Sequence, residues 1–326
     1  MSTEPASALN LHRLLDLPTA GPPLSIIFPG QGAQKVGMGQ DVHDTFSASR
    51  DIFTLADAAS GTSVSDLCFH GPADALTATE NAQLAILTAS LAYLAAALET
   101  AALPGRPAYL AGHSLGEYTA LVASGSLGTT DAVMMVRERG RIMAEAGNEE
   151  AGTMAAILGL EAEVVEQICA QSGAEPANYN GPTQTVVGGT PSAVERASQL
   201  AREQGGKALP VNVSGAFHTS LMASACERFA RVVDSIPILD PVIPVIGNVT
   251  ATPLETAAQV REELRTQIGR PVQWNASVRF MTGRGVRTFI ELGPGRVLSA
   301  MLKRIDAEVV CTSIDSAAAL SNRVHV

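Results

Sequence analysis

From Leu24 onward the chain alternates short apolar runs with longer stretches whose apolar residues recur every three or four positions. This is the pattern of strands alternating with amphipathic helices. Apolar runs at 24–28 and 107–111 predict two strands, and helical spacing covers 41–60, 81–100 and 130–146. Such alternation implies a mostly parallel sheet covered on both faces. Between 152 and 214 the pattern changes to strand (153–159), helix (161–171), two strands (175–180, 183–188), helix (191–204) and strand (207–213). That βαββαβ order predicts a ferredoxin-like unit inserted into the larger one. The α/β pattern then resumes, with helices expected at 221–235, 257–268, 275–283 and 296–305 and strands at 243–247, 286–292 and 309–314. The expected organisation is an N-terminal extension (1–23), a large subdomain from 24–150 and 215–326, and a small subdomain over 151–214. Residues 9–17 read as one or two amphipathic turns in an otherwise tail-like extension.

The second strand runs into Gly112-His113-Ser114-Leu115-Gly116, after which a helical pattern begins. Small residues two positions either side of a serine let a strand turn sharply into a helix, lifting the hydroxyl clear of the sheet. Ser114 is therefore the candidate nucleophile of an α/β-hydrolase-like large subdomain. Such a serine needs a base within hydrogen-bond reach, most often histidine. His113 adjoins Ser114 where neighbouring side chains diverge, so its expected part is to support the turn. His218 lies where the inserted unit rejoins the main sheet, and subdomain junctions commonly form the cleft. It is the expected base. The loop Pro29 to Gln34 after the first strand offers Gly30 and Gly32 to a dinucleotide-binding G-x-G-x-x-G, but Lys35 takes the third position, which argues against such a cofactor.

With 326 residues, 46% of them hydrophobic and 17% charged, the chain is long enough to bury one large core or two that share a surface. The longest apolar stretch, Leu84 to Leu98, is interrupted by Thr88, Ser90 and Tyr93 and reads as a buried helix rather than a membrane span. Residues 1–23 lack a basic region before an apolar core and do not resemble a signal peptide. Cys68, Cys169, Cys226 and Cys311 are widely spaced with no C-x-x-C pair, and the six histidines have no ligand spacing. Both observations point to reduced thiols in a cytoplasmic protein without a bound metal. A net charge of −10 argues against general nucleic-acid binding, but the charge is unevenly placed. Arg261 to Arg304 holds nine basic and three acidic residues, a net +6 that leaves −16 for the rest. This segment is either a solvated face or a docking surface for an acidic partner.

Seven segments together resemble the malonyl-CoA:acyl carrier protein transacylases and the related acyltransferase domains of polyketide and fatty-acid synthases. They are residues 28–34 (FPGQGAQ), 112–118 (GHSLGEY), 137–141 (RERGR), 178–184 (NYNGPTQ), 215–218 (GAFH), 271–274 (PVQW) and 291–295 (ELGPG), in the family's order and spread over nearly the whole chain after Leu24. The resemblance implies a Ser114–His218 dyad with His218 oriented by a backbone carbonyl near Gln273. It also implies an oxyanion hole from the N–H groups of Gln31 and Leu115, and Arg139 as the ligand of the free malonyl carboxylate. Arg137 and Arg141 fall on other helical faces, so one of the three arginines should enter the cleft. Leu115 and Phe217 would bound the space beside the malonyl carbon, which favours malonyl over methylmalonyl, while Asn180 and Gln184 would line or shape the cleft. The partners implied are malonyl-CoA and an acyl carrier protein whose acidic surface suits the basic segment. The phosphopantetheine arrives on that partner, so no cofactor of the chain's own is expected, nor a membrane, and the chain is expected as a monomer.

A serine hydrolase or thioesterase of the α/β type is the alternative. It needs an Asp or Glu between Ser114 and His218 at a strand end. Asp131 opens a helix, and Glu161, Glu163, Glu166 and Glu195 fall on the helices of the inserted unit. None has that placement. A non-catalytic binding module would leave Ser114, Arg139 and His218 without a reason to occur together.

Overall fold

The computed structural model describes residues 13–19 and 21–320. Its strands are β1 (Leu24–Phe28), β2 (Tyr109–Gly112), β3 (Thr153–Leu158), β4 (Glu175–Gly181), β5 (Gln184–Gly189), β6 (Lys207–Val211), β7 (Val245–Ile246), β8 (Pro253–Leu254), β9 (Thr288–Leu292) and β10 (Val310–Ile314). The N-terminal helices are α1 (Gln40–Thr45), α2 (Ser47–Ser60), α3 (Val64–His70), α4 (Ala73–Thr77), α5 (Thr79–Glu99), α6 (Gly116–Ala123) and α7 (Thr129–Glu149). They are followed by α8 (Ala162–Ser172), α9 (Pro191–Glu203), α10 (Ala223–Ser235), α11 (Ala257–Thr266), α12 (Trp274–Gly283), α13 (Val297–Ile305) and α14 (Ala317–Leu320).

The large sheet has the order β10-β9-β1-β2-β7-β8, parallel except for the β7–β8 pair. β1 is buried at every position, as a central parallel strand covered on both faces must be. α5 is apolar on all sides and buried almost throughout, the property of a helix in the middle of a core. By length and composition it is the one described helix that could cross a bilayer, yet 94% of that window is buried inside the molecule. The small sheet is antiparallel with the order β4-β5-β3-β6, which is the ferredoxin-like arrangement, and α8 and α9 pack on it around Ile157, Val165, Ile168 and Val187. The two subdomains are stitched by backbone: Tyr179 N–H donates to Val272 O and Val272 N–H to Ala177 O, each at 2.9 Å.

Several expected elements change in detail. The helix expected over 41–60 breaks at Phe46, whose φ of −114° and ψ of 133° are extended, and becomes α1 and α2. The short α3, α4, α14 and β8 were not expected. Residues 9–12 of the expected N-terminal turns lie outside the described residues, but the next stretch is no tail. Leu14 is fully buried in the main core, and Arg106 N–H donates to Pro18 O at 3.1 Å. Ligand sites in open parallel sheets form beyond the carboxyl ends of the strands. Here β1, β2 and β7, three neighbours, deliver Gln31, Ser114 and Asn248 from those ends.

Candidate active site

Between β2 and α6 the chain reverses within three residues, and Ser114 has φ 51°, a left-handed conformation that a non-glycine residue holds only when its surroundings enforce it. Gly112 and Gly116 make the turn possible. A Cβ on Gly116 would fall 2.1 Å from the Phe28 carbonyl oxygen, and one on Gly112 would fall 2.0 Å from that of Gly116. The enforcing group is Asn248, beyond β7. Its Oδ1 accepts from Ser114 N–H and its Nδ2 donates to Gly112 O, each at 2.7 Å.

Ser114 Oγ lies 2.7 Å from His218 Nε2. The other ring nitrogen, Nδ1, faces two carbonyl oxygens, Gln267 O at 2.9 Å and Arg270 O at 3.2 Å. Carbonyls only accept, so Nδ1 must carry the proton and Nε2 is left as the acceptor for the serine hydroxyl. Burial, reinforced by the charge of Arg139, pushes the His218 pKa down to about 3, so the ring is a neutral base. The carbonyl expected near Gln273 is therefore supplied by Gln267 and Arg270 instead. The Gln273 carbonyl accepts from the Ser277 hydroxyl at 3.0 Å, and the residue lines a separate, second cavity together with Glu263 and Arg270.

Arg139, on α7, is 1% exposed and, among the described residues, hydrogen-bonds only neutral oxygens. Nη1 donates to Gln83 Oε1 at 2.6 Å, while Nη2 donates to Ser114 Oγ at 3.1 Å and Gln267 Oε1 at 3.0 Å. Its guanidinium also lies 5.1 Å from the centre of the Tyr118 ring, and Nε has no partner among the described residues. A buried cation without an ion-pair partner is costly, and a site that keeps one is arranged for an anion. Arg137 is exposed, and Arg141 is exposed and paired with Glu138 and Glu145, so one of the three arginines turns toward the serine.

A cavity of ≈ 200 Å³ between the subdomains is lined by Gln31, His113, Ser114, Asn180, Phe217 and His218 together with apolar side chains such as Met154, Val213 and Met301. Arg139 lies behind Ser114 and meets this space through the hydroxyl. Leu115 does not bound it as expected. Its side chain is buried in the main core, and only its N–H belongs to the elbow. Neither Leu115 N–H nor Gln31 N–H is engaged by the turn, loop or side-chain hydrogen bonds of the described residues. His113 Nε2 lies 2.7 Å from Asn180 Oδ1 and so ties the elbow to β4 across the cleft. Gln184 does not line the cleft and accepts from Arg304 at 2.7 Å.

Three residues of the site escaped the sequence reading: Gln83, Asn248 and Gln267. Gln83 alone carried a signal, an amide within the nearly all-apolar α5. Among the described residues no group of three or more His, Cys, Asp or Glu is placed to hold a metal ion, and all four cysteines are free thiols.

Comparison with known proteins concerns the chain as a whole. Residues 26–318 match the family model described as "Acyl transferase domain". The malonyl CoA-acyl carrier protein transacylase of Bacillus subtilis (strain 168) is 44% identical over 87% of this chain and 90% of its own. That of Salmonella typhimurium is 38% identical over 91% and 97%. Among solved structures, FabD from Acinetobacter baumannii superposes with a TM-score of 0.87 at 39% identity, covering 93% of this chain and 97% of that one. A malonyl-transacylase solved in complex with its type II PKS acyl-carrier protein superposes with a TM-score of 0.88 at 35% identity, covering 92% and 98%. With the serine, its histidine and the buried arginine set in this frame, the chain belongs to the acyl transferase domain family and, within it, to the malonyl CoA-acyl carrier protein transacylases.

Proposed function

We propose a two-step transfer on Ser114. His218 Nε2 takes the hydroxyl proton as Oγ attacks the thioester carbonyl of malonyl-CoA. The C–S bond breaks, CoA leaves as the thiol after receiving that proton, and a malonyl ester remains on the serine. The phosphopantetheine thiol of an acyl carrier protein then gives its proton to His218 and attacks the ester, returning Ser114 to its hydroxyl form. A thioester is electrophilic and its thiolate leaves readily, so a base oriented by carbonyls suffices where amide cleavage favours a carboxylate orienter. The N–H groups of Gln31 and Leu115 receive the oxyanion, a role that their freedom from turn and loop hydrogen bonds among the described residues supports. The chain thus supplies malonyl units for fatty-acid or polyketide synthesis from the cytoplasm and uses no cofactor of its own.

The observation that carries the reading is the buried Arg139 guanidinium in contact with the nucleophile. When Ser114 is acylated, the N–H now given to Oγ is free for the malonyl carboxylate, which would hold the acyl group in place by a charge-assisted bond. An acetyl group leaves that cation unpaired, a difference of roughly 3–5 kcal/mol, or about two to three powers of ten in selectivity. Phe217 on the cavity wall supports malonyl over bulkier extender groups. Loading rates with malonyl-, methylmalonyl- and acetyl-CoA test this directly. The wild type should prefer malonyl by that margin and Arg139→Ala should lose the preference. An Arg139→Ala enzyme that keeps it would overturn the carboxylate role. The hydrolase alternative is not favoured, since His218 Nδ1 faces carbonyls and no carboxylate.

For the carrier protein we place docking on the basic segment, at α13. Val297, Leu298 and Met301 of this helix line the cavity, and Lys303 and Arg304 on the same helix are exposed. Arg261 and Arg265 contribute less, because both lie against the Asp234 carboxylate, and Arg287 donates to backbone carbonyls, whereas Arg304 remains exposed while bonding the neutral Gln184. The double variant Lys303→Ala/Arg304→Ala should lower kcat/KM for the carrier protein about tenfold at low salt and leave malonyl-CoA loading at the wild-type rate. Equal effects on both half-reactions would remove α13 as the docking face.

A further inference from the structure

Of the buried carboxyl groups outside the cleft, two hold the turn after β7, and the transfer chemistry makes no use of either. Glu117, in the first turn of α6, is 0% exposed, and Glu263, on α11, is 3% exposed. They come from distant parts of the chain yet hold consecutive backbone amides. Asn248 N–H donates to Glu117 Oε2 at 2.9 Å, and Val249 N–H donates to Glu263 Oε1 at 2.6 Å. The remaining oxygens, Glu117 Oε1 and Glu263 Oε2, are both buried without a partner among the described residues. Burial holds Glu117 well above the usual carboxylate range, with repulsion from Glu263 adding to it, and burial raises Glu263 to about 7. Two such groups with free oxygens accommodate one retained proton far better than two negative charges.

The residue that Glu117 grips, next to the one that Glu263 grips, is the one that grips the elbow. Asn248 bridges Gly112 O and Ser114 N–H while its own N–H is held by Glu117. With Ser114 N–H tied back in this way, Oγ faces His218 and the next N–H, that of Leu115, is left for the oxyanion. We propose that Asn248 is a positioning residue for the nucleophile, held in place by the buried carboxyl groups of Glu117 and Glu263, which grip its own N–H and that of Val249. The proposal rests on the reading that Ser114 carries the acyl group. The charged and titratable groups facing the pair are Arg139 from α7, Tyr118 beside Glu117 on α6, and Glu262 and Arg270 at the wall of the second cavity next to Glu263. Arg139 favours a negative charge on Glu117, against the burial and the repulsion from Glu263.

The test joins a rate to a stability. Asn248→Ala should fold and should lower kcat for Ser114 loading from malonyl-CoA about 100-fold, the scale of a roughly 1 Å misplacement, with KM changed less than threefold. For the pair, folded-state values above the unfolded 4.5 mean that wild-type stability falls as pH rises from there through about 7. Glu263→Gln and Glu117→Gln each remove part of that fall, so each variant's Tm relative to wild type should increase steadily between pH 5 and 8. Wild-type kcat in Asn248→Ala, or a loss confined to KM, overturns the positioning role. A Tm difference that does not change with pH overturns the buried carboxyl groups as the support of this turn, and this arm decides the matter if Asn248→Ala does not fold. Failure of the wild type to load malonyl at all would instead strike the functional reading, leaving the Tm result to stand by itself.

Discussion

Ser114→Ala is expected to lower malonyl transfer by at least about 10⁴-fold while leaving the fold intact, because a unit of nucleophile and base loses nearly all its effect when the nucleophile goes. The substitution removes one oxygen that makes two hydrogen bonds, to His218 and from Arg139. It leaves the backbone clamp of Asn248 on residue 114 untouched, since that bond uses the N–H. The elbow should therefore persist, with Tm within a few degrees of wild type. Malonyl-CoA binding should survive as well, because the cavity walls and Arg139 remain. A variant that binds malonyl-CoA and cannot move its acyl group separates chemistry from recognition.

His218→Ala should lower both half-reactions about 10³- to 10⁴-fold, the span of a positioned general base. Both steps need the same nitrogen, first to take the serine proton and then to take the thiol proton, so neither half should be spared. The ring is neutral before substrate arrives. Its pKa, pushed down to about 3 by burial and by Arg139, lies below the ordinary value of 6.5. By linkage, its contribution to stability is present above pH 6.5 and is lost as pH falls toward 3. Imidazole resonances of His218 in the free enzyme should accordingly show no titration between pH 5 and 8. A midpoint near 6.5 would mean that the histidine is solvated and not the buried base described here.

The elbow and the inserted unit were legible because each follows from local rules. Glycines flanking a serine after an apolar run leave few alternatives to a strand turning into a helix, and the change from α/β alternation to βαββαβ needs only periodicity. The short helices α3 and α4 were not legible. Each is one or two turns, bounded by Gly61, Gly71 and Pro72, and too brief for an apolar period to repeat. The break at Phe46 was hidden for the opposite reason, since the helical spacing continues straight through it.

The polar groups that support the site were the least visible. Asn248 and Gln267 stand alone in ordinary segments, and their roles arise only where β7, α7 and the turn after α11 meet. The family resemblance implies a carbonyl near Gln273, but a backbone carbonyl has no side-chain signature, and Gln267 lies only six residues away. His218 also donates its N–H to Ile268 O at 3.0 Å, so the chain at 267–270 is held against the histidine by backbone pairing that no sequence pattern marks. The segment 291–295 proved to be scaffold. Glu291 caps α13 by accepting from Leu298 and Ser299 N–H at 2.9 and 2.8 Å, and touches no part of the cleft.

The central claim is that Ser114 itself carries the malonyl group between two thiols. Intact-mass analysis after brief mixing with malonyl-CoA tests it most directly, using the wild type and Ser114→Ala. The wild type should gain the mass of one malonyl group, lose it on adding a carrier protein bearing the phosphopantetheine thiol, and Ser114→Ala should gain nothing. A wild type that takes up no malonyl, or a Ser114→Ala variant that still does, would contradict the account.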